Sequence, residues 1–250
     1  MCVIGICNTK RIEKPEFSES FRLNDDGVGF AWQENGKVRY IKGIMVMEEA
    51  WKAYNKHVPQ DCFPHVVHFR KGTPKVKDLT HPFNITEESE IYLNYEGEDQ
   101  ILFHNGGINM WKPMLIQTLL RTGKKLEGEW SDTRMIAIWI KLLGENVLEI
   151  LDGKFVVMSP TDVNYYGNWE KEDKGILWSN RTYVVTGVTG RNYSGVVGGT
   201  SHHTTPYQNA YQGSALTGTT PSVKRDGIRS LDFGHMDTIE DLQNGVEFLI

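Results

Sequence analysis

The chain has 250 residues, 39% of them hydrophobic and 24% charged, with a formal net charge of −5. That length buries a substantial core as one large domain or two small ones, and the acidic balance argues against direct nucleic-acid binding through bulk basicity. No apolar run reaches membrane-spanning length and the start has no secretory signal pattern. Cys2, Cys7 and Cys62 are too few and too irregular for a disulfide framework or a zinc finger, so a soluble cytoplasmic protein without metal or cofactor is expected.

In chain order, strands are predicted at CVIGIC (2–7), GVGFAW (27–32), KVRYIKG (37–43), HVVHFR (65–70), QILFHNG (100–106), KFVVMS (154–159) and GILWSN (175–180). Each is short, rich in β-branched and aromatic residues, and ended by turn formers. Helical spacing of apolar residues predicts helices at 45–57, 114–126 and 133–144. Helices interleaved with many strands indicate an α+β protein with helices covering sheets. Composition changes near residue 187. Residues 188–236 are rich in Gly, Ser, Thr, Asn and Gln, a mixture with too little apolar surface to offset ordering entropy, so a flexible tail is predicted. The last stretch, 237–250, regains a helical pattern through Leu242, Val246 and Leu249 and reads as a docking segment, with Gly245 weakening the helix.

Four short motifs can carry chemistry, and each has a plain alternative. Cys2 stands behind the initiator methionine. Removal of Met1 would give one residue both a thiol and an amine, whose ordinary pKa values of about 8.5 and about 7.7–8.0 lie near working pH. The plain alternative is a small buried cysteine in an apolar strand. Arg70 ends a strand before Gly72 and Thr73, where a guanidinium can fork onto a carboxylate; otherwise it is one more solvated cation beside Lys71 and Lys75. Asn105-Gly106-Gly107 ends another strand and can pair a side-chain NH2 with a backbone N–H against an oxyanion, or simply turn the chain. Ser131-Asp132 either caps the next helix or offers a carboxylate to an ammonium group. His65, His68, His81 and His104 match no zinc spacing.

Taken together, the order Cys2, Arg70–Thr73, His81-Pro82, His104-Asn105-Gly106 and Ser131-Asp132-Thr133 is far more specific than its parts. Over about residues 2–186 the chain resembles the class II glutamine amidotransferases of the N-terminal nucleophile (Ntn) hydrolase superfamily, and among them the small stand-alone forms of bacteriophage genomes. Asp26-Gly27-Val28-Gly29, Tyr165-Tyr166-Gly167 and Leu177–Asn180 also match that pattern.

The resemblance implies a four-layer αββα sandwich over residues 1–187, with the flexible tail beyond it. It implies Cys2 as nucleophile with its own amine as base, and Asn105 with Gly106 as oxyanion donors. Arg70 and Thr73 would hold the α-carboxylate of glutamine and Asp132 its α-ammonium. Ammonia would pass to a synthetase or transferase on a separate partner, in the host cytoplasm if the gene is viral. The chain departs from larger relatives at Arg70-Lys71-Gly72-Thr73-Pro74-Lys75, which lacks their Arg-Trp-Ala-Thr-His-Gly, and at Leu23, near where many of them carry an arginine. Two other readings are an inactive binding or structural module, and an N-terminal cysteine hydrolase of another amide. The pairing of Asp132 with Arg70 suits the two charges of a free amino acid and disfavours the latter.

Overall fold

All five residues of β1 (Val3–Cys7) are buried, so this strand has no solvent face. Side chains alternate across a strand, and here both sides meet apolar layers. Val3 and Cys7 pack with helical residues Phe17, Ala50 and Tyr54. Ile4 and Ile6 instead meet Ile101, Phe103, Val156 and Met158 of a second sheet. That double burial explains why the strand reads as a continuous apolar run rather than an alternating one.

The computed structural model describes residues 2–124, 127–170 and 172–185. The predicted tail and docking segment lie outside the described residues. After β1 come α1 (Lys14–Leu23), β2 (Val28–Glu34), β3 (Lys37–Ile44), α2 (Met47–His57), β4 (His65–Phe69), β5 (Phe83–Asn84), β6 (Asn94–Gly97) and β7 (Ile101–Asn105). The chain continues through α3 (Trp111–Thr122), α4 (Asp132–Leu143), β8 (Lys154–Met158), β9 (Val163–Tyr166) and β10 (Ile176–Trp178). One sheet has the order β10-β1-β4-β2-β3-β6 and the other β5-β7-β8-β9. Every pairing in both is antiparallel.

Three apolar layers define the stacking. Between the sheets lie Ile4, Ile6, Ala31, Val38, Tyr40 and Val66 against Ile101, Phe103, Val156 and Met158. The outer face of the six-stranded sheet is covered by α1 and α2. The outer face of the four-stranded sheet is covered by α3 and α4 through Leu115, Met135, Ile136 and Ile140. This is the αββα sandwich expected from the resemblance. All seven predicted strands and all three predicted helices are present, with ends shifted by up to four residues. The sequence analysis missed α1, β5, β6 and β9.

The architecture gathers several element ends at one place. Val3 pairs with Phe69 and Phe69 with Val28, so the start of β1, the end of β4 and the start of β2 are neighbours. The strand β2 there passes so close to the His81-Pro82 segment that a Cβ on Gly29 would lie 1.9 Å from the His81 carbonyl oxygen. Glycine is what allows this approach.

Candidate active site

Cys2 precedes β1 at this crowded end. Its carbonyl accepts a hydrogen bond from Asn180 Nδ2 at 2.6 Å. Next to it, Ser179 Oγ accepts from the Ile4 N–H and from Asn105 Nδ2, both at 2.8 Å. Lys154 Nζ donates to the Ser179 carbonyl. The end of β10 thus straps the start of β1 to the end of β7. Cys2 Sγ accepts from the Lys71 N–H at 3.3 Å and lies 3.4 Å from the Lys71 carbonyl oxygen. Burial pushes the thiol up from its ordinary range, while the Lys71 hydrogen bond, the amino-terminal charge and Arg70 pull it back.

Arg70 follows β4 directly. Its N–H donates to Gly27 O at 2.8 Å and its carbonyl accepts from the Asp26 N–H at 2.9 Å, which fixes its backbone against the turn before β2. Its guanidinium folds back on its own loop, with Nη1 donating to Gly72 O (3.0 Å) and Pro74 O (2.9 Å). A Cβ on Gly72 would lie 3.1 Å from Nη2, so this loop wraps the guanidinium closely.

Asp132 is the first residue of α4. Ser131 caps that helix, its side chain accepting from the Arg134 N–H at 3.2 Å. The Asp132 carboxylate accepts from the Thr133 N–H (2.8 Å) and the Ile108 N–H (3.2 Å), so its orientation is set from both sides. His104 Nδ1 approaches Asp132 Oδ2 to 3.8 Å. Burial keeps this imidazole below its ordinary pKa, the neighbouring carboxylate opposing only in part, so the ring is neutral and the approach is not an ion pair.

These parts surround one cavity of about 230 Å³ lined by Cys2, Arg70, Thr73, Gly106 and Asp132, with His81, His104, Trp111 and Trp130 in its walls. Five of the six residues singled out from sequence are therefore brought together. The sixth, Asn105, does not line the cavity; its side chain is held by Ser179 just behind Gly106. Gly106 itself has no room for a side chain, since a Cβ would lie 2.7 Å from His104 Nε2.

Sequence reasoning missed the Lys71 N–H, a backbone donor with no residue-type signature. It also missed the indole walls, and the anchoring by Ser179 and Asn180 was visible only as a matched motif. Among the described residues, no group of three or more His, Cys, Asp or Glu is arranged to hold a metal ion.

No protein-family model matches the chain, and no curated protein matches it either. Solved structures similar in shape include two enzymes. One is described as the allosteric regulatory enzyme of purine biosynthesis; it is 17% identical at a TM-score of 0.49, covering 71% of this chain and 41% of its own. The other, the glutamine phosphoribosylpyrophosphate amidotransferase of B. subtilis with ADP and GMP, is 21% identical at a TM-score of 0.45, covering 65% of this chain and 36% of its own. The chain thus spans about two fifths of the length of either.

Proposed function

We propose that this protein is a class II glutamine amidotransferase that hydrolyses the side-chain amide of glutamine through Cys2 and supplies ammonia to an acceptor on a partner protein. The observation that carries the reading is the single cavity that joins a thiol, a guanidinium and a carboxylate from sequence positions 2, 70 and 132. A free amino acid has one anionic and one cationic end. A cavity with Arg70 and Asp132 in its wall is complementary to both, and at about 230 Å³ it is below the size of sites for drug-sized ligands, about 300–1,000 Å³.

The chemistry follows from the electrostatics. Because burial raises the Cys2 thiol, little thiolate forms unaided, so a base is needed at the sulfur. With Met1 removed, the Cys2 amine takes the thiol proton as Sγ attacks the amide carbon. The negative charge that develops on the amide oxygen is met by the Gly106 N–H in the cavity wall, while the Asn105 NH2 donates to Ser179 behind it and braces that turn. Collapse of the tetrahedral adduct breaks the C–N bond, and ammonia leaves with the proton held by the amine. The γ-glutamyl thioester that remains is hydrolysed by water to glutamate. Cys2, Cys7 and Cys62 are all free thiols, which suits a reducing, cytoplasmic compartment.

The deciding experiment is intact mass before and after incubation with 6-diazo-5-oxo-norleucine, together with ammonia release from glutamine. Expected are loss of Met1, one adduct mapped to Cys2, and neither adduct nor ammonia from the Cys2→Ser variant. A trimmed protein that takes no label and releases no ammonia would overturn the glutamine reading.

A further inference from the structure

The loop that carries Arg70 is fastened from outside the cavity by charge. Asp25 Oδ1 lies 2.5 Å from Lys71 Nζ and Oδ2 lies 3.2 Å from Lys75 Nζ. Asp26 adds a longer contact to Lys75 (3.3 Å) and accepts the Gly72 N–H at 2.9 Å. Lys71 is thereby held at both ends, because its N–H is the donor to Cys2 Sγ while its side chain is gripped by Asp25. The two lysines stand within the six residues where the chain departs from the larger proteins it resembles, so the departure places two cations opposite one carboxylate.

We propose that Asp25 is a positioning residue. Its ion pairs to Lys71 and Lys75 hold the 70–75 loop closed over Cys2 and keep Arg70 facing the cavity, which makes substrate capture depend on ionic strength. The proposal rests on the glutamine reading for its substrate arm only. Asp25, Lys71 and Lys75 are all about half exposed, so each pair is weak alone and screened by salt. The bonds beneath them are of another kind. Arg70 N–H to Gly27 O and Gly72 N–H to Asp26 are short-range hydrogen bonds partly shielded from solvent. Salt therefore loosens the placement of the loop without unfolding it. Loosening also uncovers the sulfur, whose thiol is raised chiefly by burial, so an opened loop gives a more reactive Cys2.

The test uses the full chain in a sodium chloride series from about 0.1 M to about 1 M, over which the screening length falls from about 10 Å to about 3 Å. Two readouts are taken for wild type, Asp25→Asn and Asp25→Glu. These are the KM for glutamine and the rate of Cys2 alkylation by iodoacetamide, followed by peptide mass to separate it from Cys62. For wild type, KM is expected to rise about three- to tenfold with salt while kcat stays within about twofold, as loss of two surface ion pairs would give. Alkylation is expected to accelerate in parallel. Asp25→Asn should start at the high-salt values and show no slope, and Asp25→Glu should keep most of the wild-type behaviour. If Asp25→Asn keeps the wild-type slope in both readouts, the proposal is overturned. If glutamine is not turned over at all, the function proposed above fails by itself, and the alkylation series alone upholds or overturns the clasp.

Discussion

The Thr133 hydroxyl lies 3.0 Å from His81 Nε2, 3.2 Å from His104 Nδ1 and 3.3 Å from Asp132 Oδ1. A hydroxyl has one proton to give and two lone pairs. The carboxylate can only accept, so the proton goes to Asp132 and both imidazoles donate to Thr133. His68 Nε2 likewise donates to the His104 carbonyl at 3.2 Å. The network thus assigns one proton to each ring, and the nitrogens left bare are the ones that have no partner, His68 Nδ1, His81 Nδ1 and His104 Nε2. Replacing Thr133 by Val keeps the shape but leaves two buried N–H donors without an acceptor. We expect a loss of about 1–3 kcal/mol in urea unfolding, with Thr133→Ser close to wild type. An unchanged midpoint for the valine variant would show that the rings do not depend on this hydroxyl.

At the scale of elements, α4 decides where Asp132 points. Ser131 holds its first turn, and Arg134 ties the helix to two loops by donating to the carbonyls of Glu88, Ser89, Glu127 and Glu129. Ser131→Ala should cost about 1 kcal/mol of stability, the usual worth of such a cap. It should also raise the KM for glutamine more than it lowers kcat, because the frayed turn carries the carboxylate expected to hold the substrate ammonium. Equal KM values for the two proteins would separate the cap from binding. The helix itself was legible from Met135, Ile136, Trp139, Leu142 and Leu143 at helical spacing, although Leu142 and Leu143 are exposed and Ile140 is the buried residue of its last turns. The helix α1 was not, because Lys14–Leu23 buries only Phe17 and Ser20 and its sequence is mostly polar. The signals it did carry were Pro15 in its first turn and Glu16, whose side chain accepts from the Glu13 N–H at 3.1 Å. The strands β5, β6 and β9 are four residues or fewer, too short to show a period.

At the scale of the whole molecule, four imidazoles among the described residues are buried neutral. Burial holds His65 down to about 4 and His68 to about 3, and puts His81 and His104 below their ordinary values. The unfolded chain binds protons at about pH 6.5, where the folded protein does not. These groups therefore contribute stability that is present in full above about pH 6.5 and is lost as the pH falls toward their folded values. Each one titrating only when unfolded removes about 1.4 kcal/mol per pH unit. Urea midpoints should fall steeply between about pH 7 and about pH 5, with m unchanged. A flat profile would mean that the rings are charged, or solvated, in the folded protein.

The sequence by itself determined the strand and helix inventory wherever apolar residues were dense, and its motifs, joined by the resemblance, picked out Cys2, Arg70, Thr73, Asn105, Gly106 and Asp132 as belonging together. Residue type and order carry that much because thiol, guanidinium and carboxylate are side-chain properties. Tertiary structure alone decided which strands pair and which edges meet, and so that positions 2, 70, 73, 106 and 132 line one cavity. It alone supplied the Lys71 N–H on the sulfur, the backbone carbonyls that grip Arg70, and the burial that raises the Cys2 thiol and neutralises four imidazoles. Backbone donors are common to almost every residue type and burial depends on neighbours far along the chain, so neither is written in any local stretch of sequence.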